Sequence, residues 1–278
     1  MNFNDSAIIR LIDLAIEEDV GSGDITTNSL VSKNESAEAI IKVKQDGIIA
    51  GLKIAQLVVD KFDSKAKWNF KKVDGNYCKS GDVVASVQAH KRALLTSERT
   101  LLNFLQRMSG IATKTRKFVD EINGFNTKIL DTRKTVPGHR ILDKYAVKVG
   151  GGTNHRIGLF DMVLIKDNHI KIAGGIKNAV ESVKKKNNSS VKIEVEANTI
   201  EQVVEALVLN VDIIMLDNMS IQEMKQAVNI CKEKVLTEAS GNVSLANVKL
   251  IAETGVDFIS VGELTHSVEA LDISMKVK

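Results

Sequence analysis

Cationic side chains flank one short apolar run near the middle of the chain. His155 and Arg156 stand before residues 161–165, and Lys166 and His169 follow them directly. The run is typical of a buried strand, so the charges are expected at its two ends, where they would bind an anion. Lys166 could instead be a Schiff-base nucleophile or a surface group. The pair His155-Arg156 could simply cap the preceding helix, and His169 is expected to be structural or exposed.

Arg133 and Lys134 form a second cationic pair, directly after a strand that ends at Asp131. Adjacent residues of an extended chain point to opposite sides, so only one of the two is expected to face the site. For this pair alone, a solvated loop is the alternative interpretation.

Carboxylates occur where further apolar runs end. Glu194 and Glu196 fall on the same face of one strand, and Asp217 ends another run in the same position. A single acidic residue at a strand end is usually a salt-bridge partner. Several of them around a cationic mouth indicate a polyol or a metal-bound polyphosphate as ligand.

Two segments rich in small residues follow the last two strands. Residues 238–244 turn on Gly241, and residues 260–266 contain Gly262. Small residues let backbone N–H groups approach an anion at a helix N-terminus, although ordinary helix-capping turns use the same residue types. No Walker or GxGxxG pattern is present, so a single phosphate monoester fits best. A phosphorylated sugar that carries a pyrophosphate would use the cations, the acids and these loops together.

The elements that must position these residues alternate between strand and helix. The β-rich runs are 128–130, 162–165, 191–195, 213–216, 235–237 and 258–261, and the helical segments between them include 199–209, 221–231 and 245–253. Such alternation predicts parallel strands with right-handed crossovers, in either a (β/α) barrel or a doubly wound sheet. Every run ends in polar residues, which favours a barrel because its strand ends all converge on one mouth. Six runs rather than eight predict an incomplete barrel.

The first third of the chain has a different pattern. Helical spacing over residues 8–16 is followed by short alternating strands at 39–43, 68–73 and 83–87, and then by a long helix at about 94–122. We therefore expect an N-terminal α+β sandwich domain over residues 1–110 and a barrel domain over 111–278. The last residues are expected to pack back on the N-terminal domain.

Composition excludes several classes of protein. The 278 residues are 44% hydrophobic and 26% charged with a net charge of +3, and only 4% are aromatic, so no stacking platform for nucleic acid is expected. Two distant cysteines, Cys78 and Cys231, lack metal-ligand spacing and suit a reducing compartment. No stretch has the pattern of a signal peptide or a membrane span, so a cytoplasmic protein without a membrane partner is expected.

Several motifs closely resemble the quinolinate phosphoribosyltransferase family, also called carboxylating nicotinate-nucleotide pyrophosphorylases. They are Leu95-Thr-Ser-Glu-Arg-Thr-Leu-Leu-Asn-Phe-Leu, Asp131-Thr-Arg-Lys-Thr-Val-Pro-Gly, Gly151-Gly-Thr-Asn-His-Arg-Ile-Gly-Leu, Leu164-Ile-Lys-Asp-Asn-His and Val261-Gly-Glu-Leu-Thr-His-Ser. The likeness runs in order from Ala15 almost to the C-terminus. Ala239 and Asn242 depart from it, since serine and glycine are common in the family at these positions.

The resemblance implies a type II phosphoribosyltransferase fold, with an open α+β sandwich and an incomplete α/β barrel. It implies that quinolinate and phosphoribosyl pyrophosphate give nicotinate mononucleotide, pyrophosphate and CO2 in de novo NAD biosynthesis. Mg²⁺ would be carried by the pyrophosphate, with no certain protein ligand, although Glu196 and Asp217 would lie near it. A homodimer with shared active sites is also implied, in which Arg99 reaches into the barrel of its neighbour.

The resemblance also implies three sets of site residues. Quinolinate would be bound by Arg99, Arg133, His155, Arg156 and Lys166. Phosphoribosyl pyrophosphate would be bound by Lys134, Glu196, Asp217, Ser240, Gly241, Gly262 and His266. The catalytic residues would be Lys134, Lys166, Glu196 and Asp217. In this assignment Arg133 and Arg156 pair with the two carboxylates of quinolinate, which suits the planar fork of guanidinium.

Three alternatives remain open at this stage. A paralogue related to molybdenum transport would share the fold without binding quinolinate, and the presence of both Arg133 and Arg156 argues against it. A Schiff-base aldolase would use Lys166 as its nucleophile. A non-catalytic regulator would bind phosphoribosyl pyrophosphate without turnover, which the full set of cations and acids argues against.

Overall fold

The chain forms two compact units. The computed structural model describes residues 2–3, 5–186 and 191–278. The first unit comprises Met1–Arg116, Val136–Gly151 and Ser267–Lys278, and the second comprises Lys117–Thr135 and Gly152–His266. From the sequence we expected two domains that meet at residue 110. This domain boundary stays a prediction.

The first unit is an α+β structure around a four-stranded antiparallel sheet. Its helices are α1 (Ser6–Val20), α2 (Ile25–Leu30), α3 (Leu52–Asp60), α4 (Lys91–Glu121), which ends in the second unit, and α5 (Arg140–Val149). Its strands are β1 (Ser36–Val43), β2 (Gly47–Ile48), β3 (Lys67–Phe70), β4 (Tyr77–Cys78), β5 (Val83–His90) and β12 (Ile273–Val277). The sheet order is β12-β1-β5-β3, and β2 pairs with β4. The C-terminal strand β12 thus pairs antiparallel with β1.

The buried face of this unit follows from its sequence patterns. In α1 the buried residues Ile8 and Ile12 are four positions apart, one helical turn, and Asp5 caps the helix by accepting the N–H of Ala7. In β5 most residues from Val84 onward are buried, as expected for a central strand covered on both sides. The apolar positions of α4, including Leu94, Leu101 and Leu105, are completely buried.

The second unit is built from alternating strands and helices. Its strands are β6 (Lys128–Leu130), β7 (Val163–Ile165), β8 (Ile193–Ala197), β9 (Ile213–Asp217), β10 (Leu236–Ser240) and β11 (Phe258–Ser260). Its helices are α6 (Asp167–Ala173), α7 (Ile176–Lys186), α8 (Ile200–Val208), α9 (Ile221–Cys231), α10 (Val248–Ala252) and α11 (Glu263–His266). Among the described residues, six parallel strands pair in the order β6-β11-β10-β9-β8-β7.

The barrel is incomplete between β6 and β7, which are the two edges of the sheet. A single parallel bridge joins Leu130 of β6 to Thr153 on this open side. The segment that follows Thr153 therefore runs along the edge of β6. The predicted fold class, a sandwich domain with an incomplete α/β barrel, is confirmed.

Some predicted strands are shorter in the structure than expected. Residues 161 and 162 precede β7, because the carboxylate of Asp161 accepts the N–H groups of Ile157 and Gly158 and forms a turn there. The predicted strand 68–73 ends at Phe70. No helix in the described part of the chain is long and apolar enough to cross a membrane.

Candidate functional site

A cavity of about 580 Å³ opens at the carboxyl ends of the parallel strands in the second unit. It is lined by Asp131, Thr132, Arg133, Lys134, His155, Arg156, Leu164, Lys166, Glu196, Met215, Asp217, Asn218, Glu238, Ser240, Gly241, Asn242 and Ser260. Active sites of α/β barrels form at this end, whereas the opposite end serves stability. A second cavity, of about 630 Å³, lies around the amino ends of β9 and β10 and lacks this group of cations.

Both Arg133 and Lys134 line the cavity, so the expectation that only one of them faces the site was wrong. The alternation rule fails because this segment is a turn. The backbone N–H of Lys134 donates to Thr132 Oγ1 at 3.0 Å, and that of Thr135 donates to the carbonyl of Arg133 at 2.9 Å. Thr265 Oγ1 then donates to the carbonyl of Lys134 at 2.8 Å, which fixes the turn.

Asp131 joins this turn to the segment that carries His155 and Arg156. Its carboxylate is completely buried and accepts Asn154 Nδ2 at 2.7 Å and the backbone N–H of His155 at 2.8 Å. Because Asp131 directly follows β6 and the segment bridges β6 at Thr153, this carboxylate links the end of β6 to residues 154 and 155. Residues 155 and 156 therefore do not merely cap the preceding helix, which ends at Val149.

Arg156 is a cation of the cavity with little exposed surface. Its side chain is nearly buried, and Nη1 donates to the carbonyl of Met162 at 3.1 Å. Burial lowers the pKa of Arg156, and the nearby positive charge of Arg133 lowers it further. Two guanidinium groups that repel one another in a partly buried cavity form a site that an anion would stabilise.

Beneath these cations, His155 forms a buried cluster with two glutamates. His155 Nε2 lies 2.9 Å from Glu194 Oε2 and 3.4 Å from Glu238 Oε2, and both glutamates are completely buried. Ser260 Oγ donates to the other oxygen of Glu238. The backbone nitrogen of Arg156 lies 2.8 Å from His155 Nδ1, so Nε2 is the ring nitrogen that faces the two carboxylates.

Burial and the neighbouring charges shift the pKa of both His155 and Glu194. Burial alone would lower the pKa of His155, but the hydrogen bonds and charges of Glu194 and Glu238 raise it to about 10. Burial, together with the charge of Glu238, raises the pKa of Glu194. The cluster therefore retains a shared proton at neutral pH.

The same cluster could in principle hold a metal ion. His155, Glu194 and Glu238 each offer one ligand atom, and these atoms lie within 4.8 Å of one another. A metal would require the imidazole nitrogen that faces the carboxylates to be unprotonated. His155 Nε2 instead donates a hydrogen bond to Glu194, so a proton lies where a metal ion would bind.

Lys166, Glu196 and Asp217 lie at the ends of three neighbouring strands. Lys166 Nζ is 3.3 Å from Glu196 Oε2, and the lysine side chain is half exposed to the cavity. Lys166 forms an ion pair with Glu196, whereas a Schiff-base nucleophile must be an unprotonated amine. Asp217 accepts a hydrogen bond from Asn218 Nδ2 at 2.8 Å. The three side chains thus present one positive and two negative groups to the cavity.

The two predicted phosphate loops differ in their geometry. In the first, β10 extends to Ser240, so the loop begins at Gly241, and α10 starts only at Val248. Backbone of the loop, rather than a helix N-terminus, therefore faces the cavity. Gly241 has φ of +97°, and a Cβ there would collide with the amide of Asn218, so this position requires glycine.

Gly262 and His266 of the second loop do not line this cavity. Gly262 lies next to Lys134, which does line it. A Cβ on Gly262 would lie 3.1 Å from Lys134 Cδ and 3.2 Å from His266 Cδ2. Glycine at 262 thus lets the Lys134 chain and the His266 ring approach the loop. Arg99 lies on α4 in the first unit and is exposed.

Comparisons with known proteins match nearly the whole chain to one protein family. The model of the N-terminal domain of quinolinate phosphoribosyl transferase matches residues 24–109, and that of the C-terminal domain matches residues 111–276. The chain belongs to the quinolinate phosphoribosyltransferase family. Its recognition from sequence motifs is thereby confirmed.

Relatives of the chain carry the names of this family. The chloroplastic nicotinate-nucleotide pyrophosphorylase [carboxylating] of Arabidopsis thaliana is 44% identical over 96% of this chain and 82% of that protein. The probable nicotinate-nucleotide pyrophosphorylase [carboxylating] of Bacillus subtilis is 42% identical over 96% of this chain and 92% of that protein. The crystal structure of the nicotinate-nucleotide pyrophosphorylase of Ehrlichia chaffeensis is similar with a TM-score of 0.93 at 43% identity, and each chain is covered completely.

Within this quinolinate phosphoribosyltransferase fold, several residues of the cavity were not among the predicted site residues, and Asp131, Glu238 and Asn218 are examples. The signal for Glu238 was its period of two with Ser240, since both side chains then point to the same face of β10. Asp131 stood at the end of a predicted strand, but nothing in the sequence indicated that it would bind the backbone of residue 155. The contact of Asn218 with Gly241 depends on the pairing of β9 with β10.

Proposed function

We propose that this chain transfers the phosphoribosyl group of phosphoribosyl pyrophosphate to quinolinate and decarboxylates the product, giving nicotinate mononucleotide, pyrophosphate and CO2 for NAD biosynthesis. The observation that carries the proposal is the convergence of Arg133, Arg156 and Lys166 on one cavity that also contains Glu196 and Asp217. Family membership and the names of the relatives support the same reaction.

Recognition of quinolinate is assigned to the side of the cavity that carries the two arginines. Each guanidinium can form two parallel hydrogen bonds with one carboxylate. Arg156 is held by the carbonyl of Met162, and the neighbouring His155 by Glu194, so the dicarboxylate would meet a site that is already ordered. Nicotinate, with a single carboxylate, would leave one of the two repelling arginines without an anion.

Chemistry at the site requires positioning and charge rather than a covalent enzyme intermediate. The ring nitrogen of quinolinate forms a bond to ribose C1 while the bond from C1 to pyrophosphate breaks. The C2–carboxylate bond then breaks, CO2 leaves, and the bonding electron pair stays on C2, where the adjacent positively charged ring nitrogen stabilises it until C2 takes up a proton from water. Lys134 and Lys166 would neutralise the leaving pyrophosphate, and Glu196 and Asp217 would stabilise the positive charge that develops on the ribose.

Mg²⁺ is proposed to arrive with phosphoribosyl pyrophosphate. Hard oxygen ligands suit this ion, and the carboxylates of Glu196 and Asp217 offer them at the rim of the cavity. When bound, the ion would neutralise charge on the pyrophosphate. Glu196 also pairs with Lys166. The carboxylates of Glu196 and Asp217 are proposed to accept hydrogen bonds from the ribose hydroxyls as well. The 5-phosphate is assigned to Ser240 and Gly241, with Gly262 and His266 behind Lys134.

A homodimer with shared sites is proposed for the assembly. Leu159, Phe160 and Ile172 are each at least 74% exposed in the second unit, which is unusual for large apolar side chains. Every residue of α6 has at least partly exposed surface. Exposed apolar groups of this kind often mark a protein interface. In such a dimer Arg99 would enter the quinolinate site of the partner.

A reducing compartment such as the cytoplasm is proposed as the location. Both Cys78 and Cys231 are free and buried, and burial raises the pKa of both thiols, which suits inert structural cysteines. A fluorescent fusion in the source cells would test the location, and accumulation in an organelle would contradict it.

The proposed activity is tested with purified protein, phosphoribosyl pyrophosphate and Mg²⁺. Quinolinate and nicotinate are supplied in parallel reactions, and nicotinate mononucleotide is measured by mass. We expect product from quinolinate alone. Equal product from nicotinate would contradict the two-arginine recognition, and no product from either substrate would favour the binding regulator or a paralogue.

A further inference from the structure

Three asparagines surround the loop at residues 240–244 that the proposed function assigns to the 5-phosphate. Asn218 follows β9, Asn242 lies at the centre of the loop, and Asn247 precedes α10. Asn218 and Asn242 also line the cavity. We refer to Asn218, Asn242 and Asn247 as the asparagine clamp. None of them takes part in the chemistry proposed above.

The side-chain amides of the clamp form a directed chain of hydrogen bonds. Asn218 Nδ2 donates to Asp217 Oδ2 at 2.8 Å, and Asn242 Nδ2 donates to Asn218 Oδ1 at 3.1 Å. A carboxylate can only accept, so Asn218 must turn its NH2 group toward Asp217 and its oxygen toward the loop. This orientation in turn requires Asn242 to donate. The phosphate loop is therefore tied to the carboxylate assigned to ribose.

Asn247 holds the loop from its other end. Its Nδ2 donates to the carbonyl of Asn242 at 3.0 Å, while its Oδ1 accepts the backbone N–H of Ser244 at 2.8 Å. Both polar ends of one amide are thus used within the loop. Four hydrogen bonds of the clamp in total fix Asp217, Asn242 and Ser244 relative to one another.

The backbone of the clamp is also unusual. Asn218 has φ of 55° and Asn242 has φ of 50°, a left-handed conformation that is rare outside glycine and that asparagine tolerates better than most residues. The amide of Asn218 lies over Gly241, which brings β9 and the loop into direct contact. Strained conformations persist where surrounding contacts enforce them, and they concentrate at binding sites.

We propose that Asn218, Asn242 and Asn247 are positioning residues that hold the 240–244 loop in its phosphate-binding shape before the substrate arrives and set its distance from Asp217. This inference rests on the assignment of the loop to the 5-phosphate. A loop that is already ordered loses less conformational entropy on binding, so the clamp raises the affinity for phosphoribosyl pyrophosphate. It does not contact the dicarboxylate side of the cavity.

Asn242→Gly is the sharpest test, because glycine keeps the left-handed backbone and removes only the amide. We expect the KM for phosphoribosyl pyrophosphate to rise about 2- to 10-fold, the change that corresponds to one net hydrogen bond, with an unchanged KM for quinolinate. Asn210→Gly is the matched control, since Asn210 has the same φ of 50° and lies outside the cavity. A double variant with Asn218→Gly should show less than the product of the two single effects.

Binding of ribose 5-phosphate, measured by calorimetry, separates this inference from the proposed reaction. We expect wild-type protein to bind it and Asn242→Gly to bind it more weakly, whether or not quinolinate is turned over. Equal binding and equal KM values in Asn242→Gly and Asn210→Gly would overturn the clamp. No binding to wild type would overturn it as well, since the loop would then not be a phosphate site. If Asn218→Gly does not fold, Asn247→Ala serves as the second variant.

Discussion

Lys166 Nζ lies 3.3 Å from Glu196 Oε2, at the ends of two adjacent parallel strands and within one cavity. The lysine is half exposed, so this ion pair contributes little to stability, about 0–1 kcal/mol. Its significance is therefore electrostatic: a fixed positive charge stands beside an acid in the cavity where a charged leaving group is proposed to depart.

Lys166→Ala is expected to lower kcat/KM by about 100-fold or more, since it removes a charge that stabilises the transition state. The melting temperature should change little, because the lysine side chain that is removed is half exposed. Lys225→Ala, on the exposed face of α9, is the control and should retain wild-type activity. Near-normal turnover in Lys166→Ala would remove this residue from the site.

Arg133→Lys and Arg156→Lys should each raise the KM for quinolinate by about 10- to 100-fold while leaving the KM for phosphoribosyl pyrophosphate nearly unchanged. Lysine keeps the charge but loses the bidentate fork, so the expected loss lies in geometry rather than in net charge. Steady-state kinetics with each substrate varied separately would measure this. Arg10→Lys on the exposed face of α1 is the matched control. If both KM values rise together, the arginines do not distinguish the two substrates.

The buried histidine predicts a specific dependence of stability on pH. The folded-state pKa of His155, about 10, lies above the ordinary 6.5, so the folded protein binds this proton more tightly than the unfolded chain. The resulting stabilisation is complete below pH 6.5 and is lost as the pH rises through 10. Urea unfolding of wild type and His155→Gln between pH 6 and pH 10 should show a steeper decline for wild type. The exposed His169→Gln should keep the wild-type slope, and parallel curves for wild type and His155→Gln would contradict the shared proton.

Shared sites in a dimer can be tested by complementation. Arg99→Ala and Lys166→Ala should each be nearly inactive alone. Mixed by co-expression, they should recover about a quarter of wild-type activity, because half of the dimers are mixed and each has one intact site. Lack of recovery in verified mixed dimers would place Arg99 and Lys166 in the same subunit's site.

Much of the barrel was predictable because its local signals agree. The helix α9 was predicted with its observed bounds, and in the structure Ser220 and Glu223 form a capping box at its start. Strand β6 was predicted correctly as well. In contrast, β8 and β10 extend two or three residues further than predicted. Glu196 and Glu238 are buried acids within these strands, and hydropathy alone places acidic residues outside a strand.

The site was only partly predictable for a related reason. Residue type and position after a strand indicated Lys166, Glu196 and Asp217, all of which line the cavity. The supports of the site are contacts between residues distant in sequence, such as Asp131 with the N–H of His155. The spacing of apolar residues along the sequence cannot predict these contacts. They depend on which strand edges remain unpaired in the folded barrel.

The central claim is that decarboxylation is coupled to phosphoribosyl transfer in the cavity of Arg133 and Arg156. Its most direct test uses quinolinate labelled in the 2-carboxylate and measures released CO2 together with nicotinate mononucleotide, with and without phosphoribosyl pyrophosphate. The account predicts one labelled CO2 for each nucleotide formed, and no release when phosphoribosyl pyrophosphate is omitted. Release of CO2 without the sugar donor, or a nucleotide that retains the label, would contradict it.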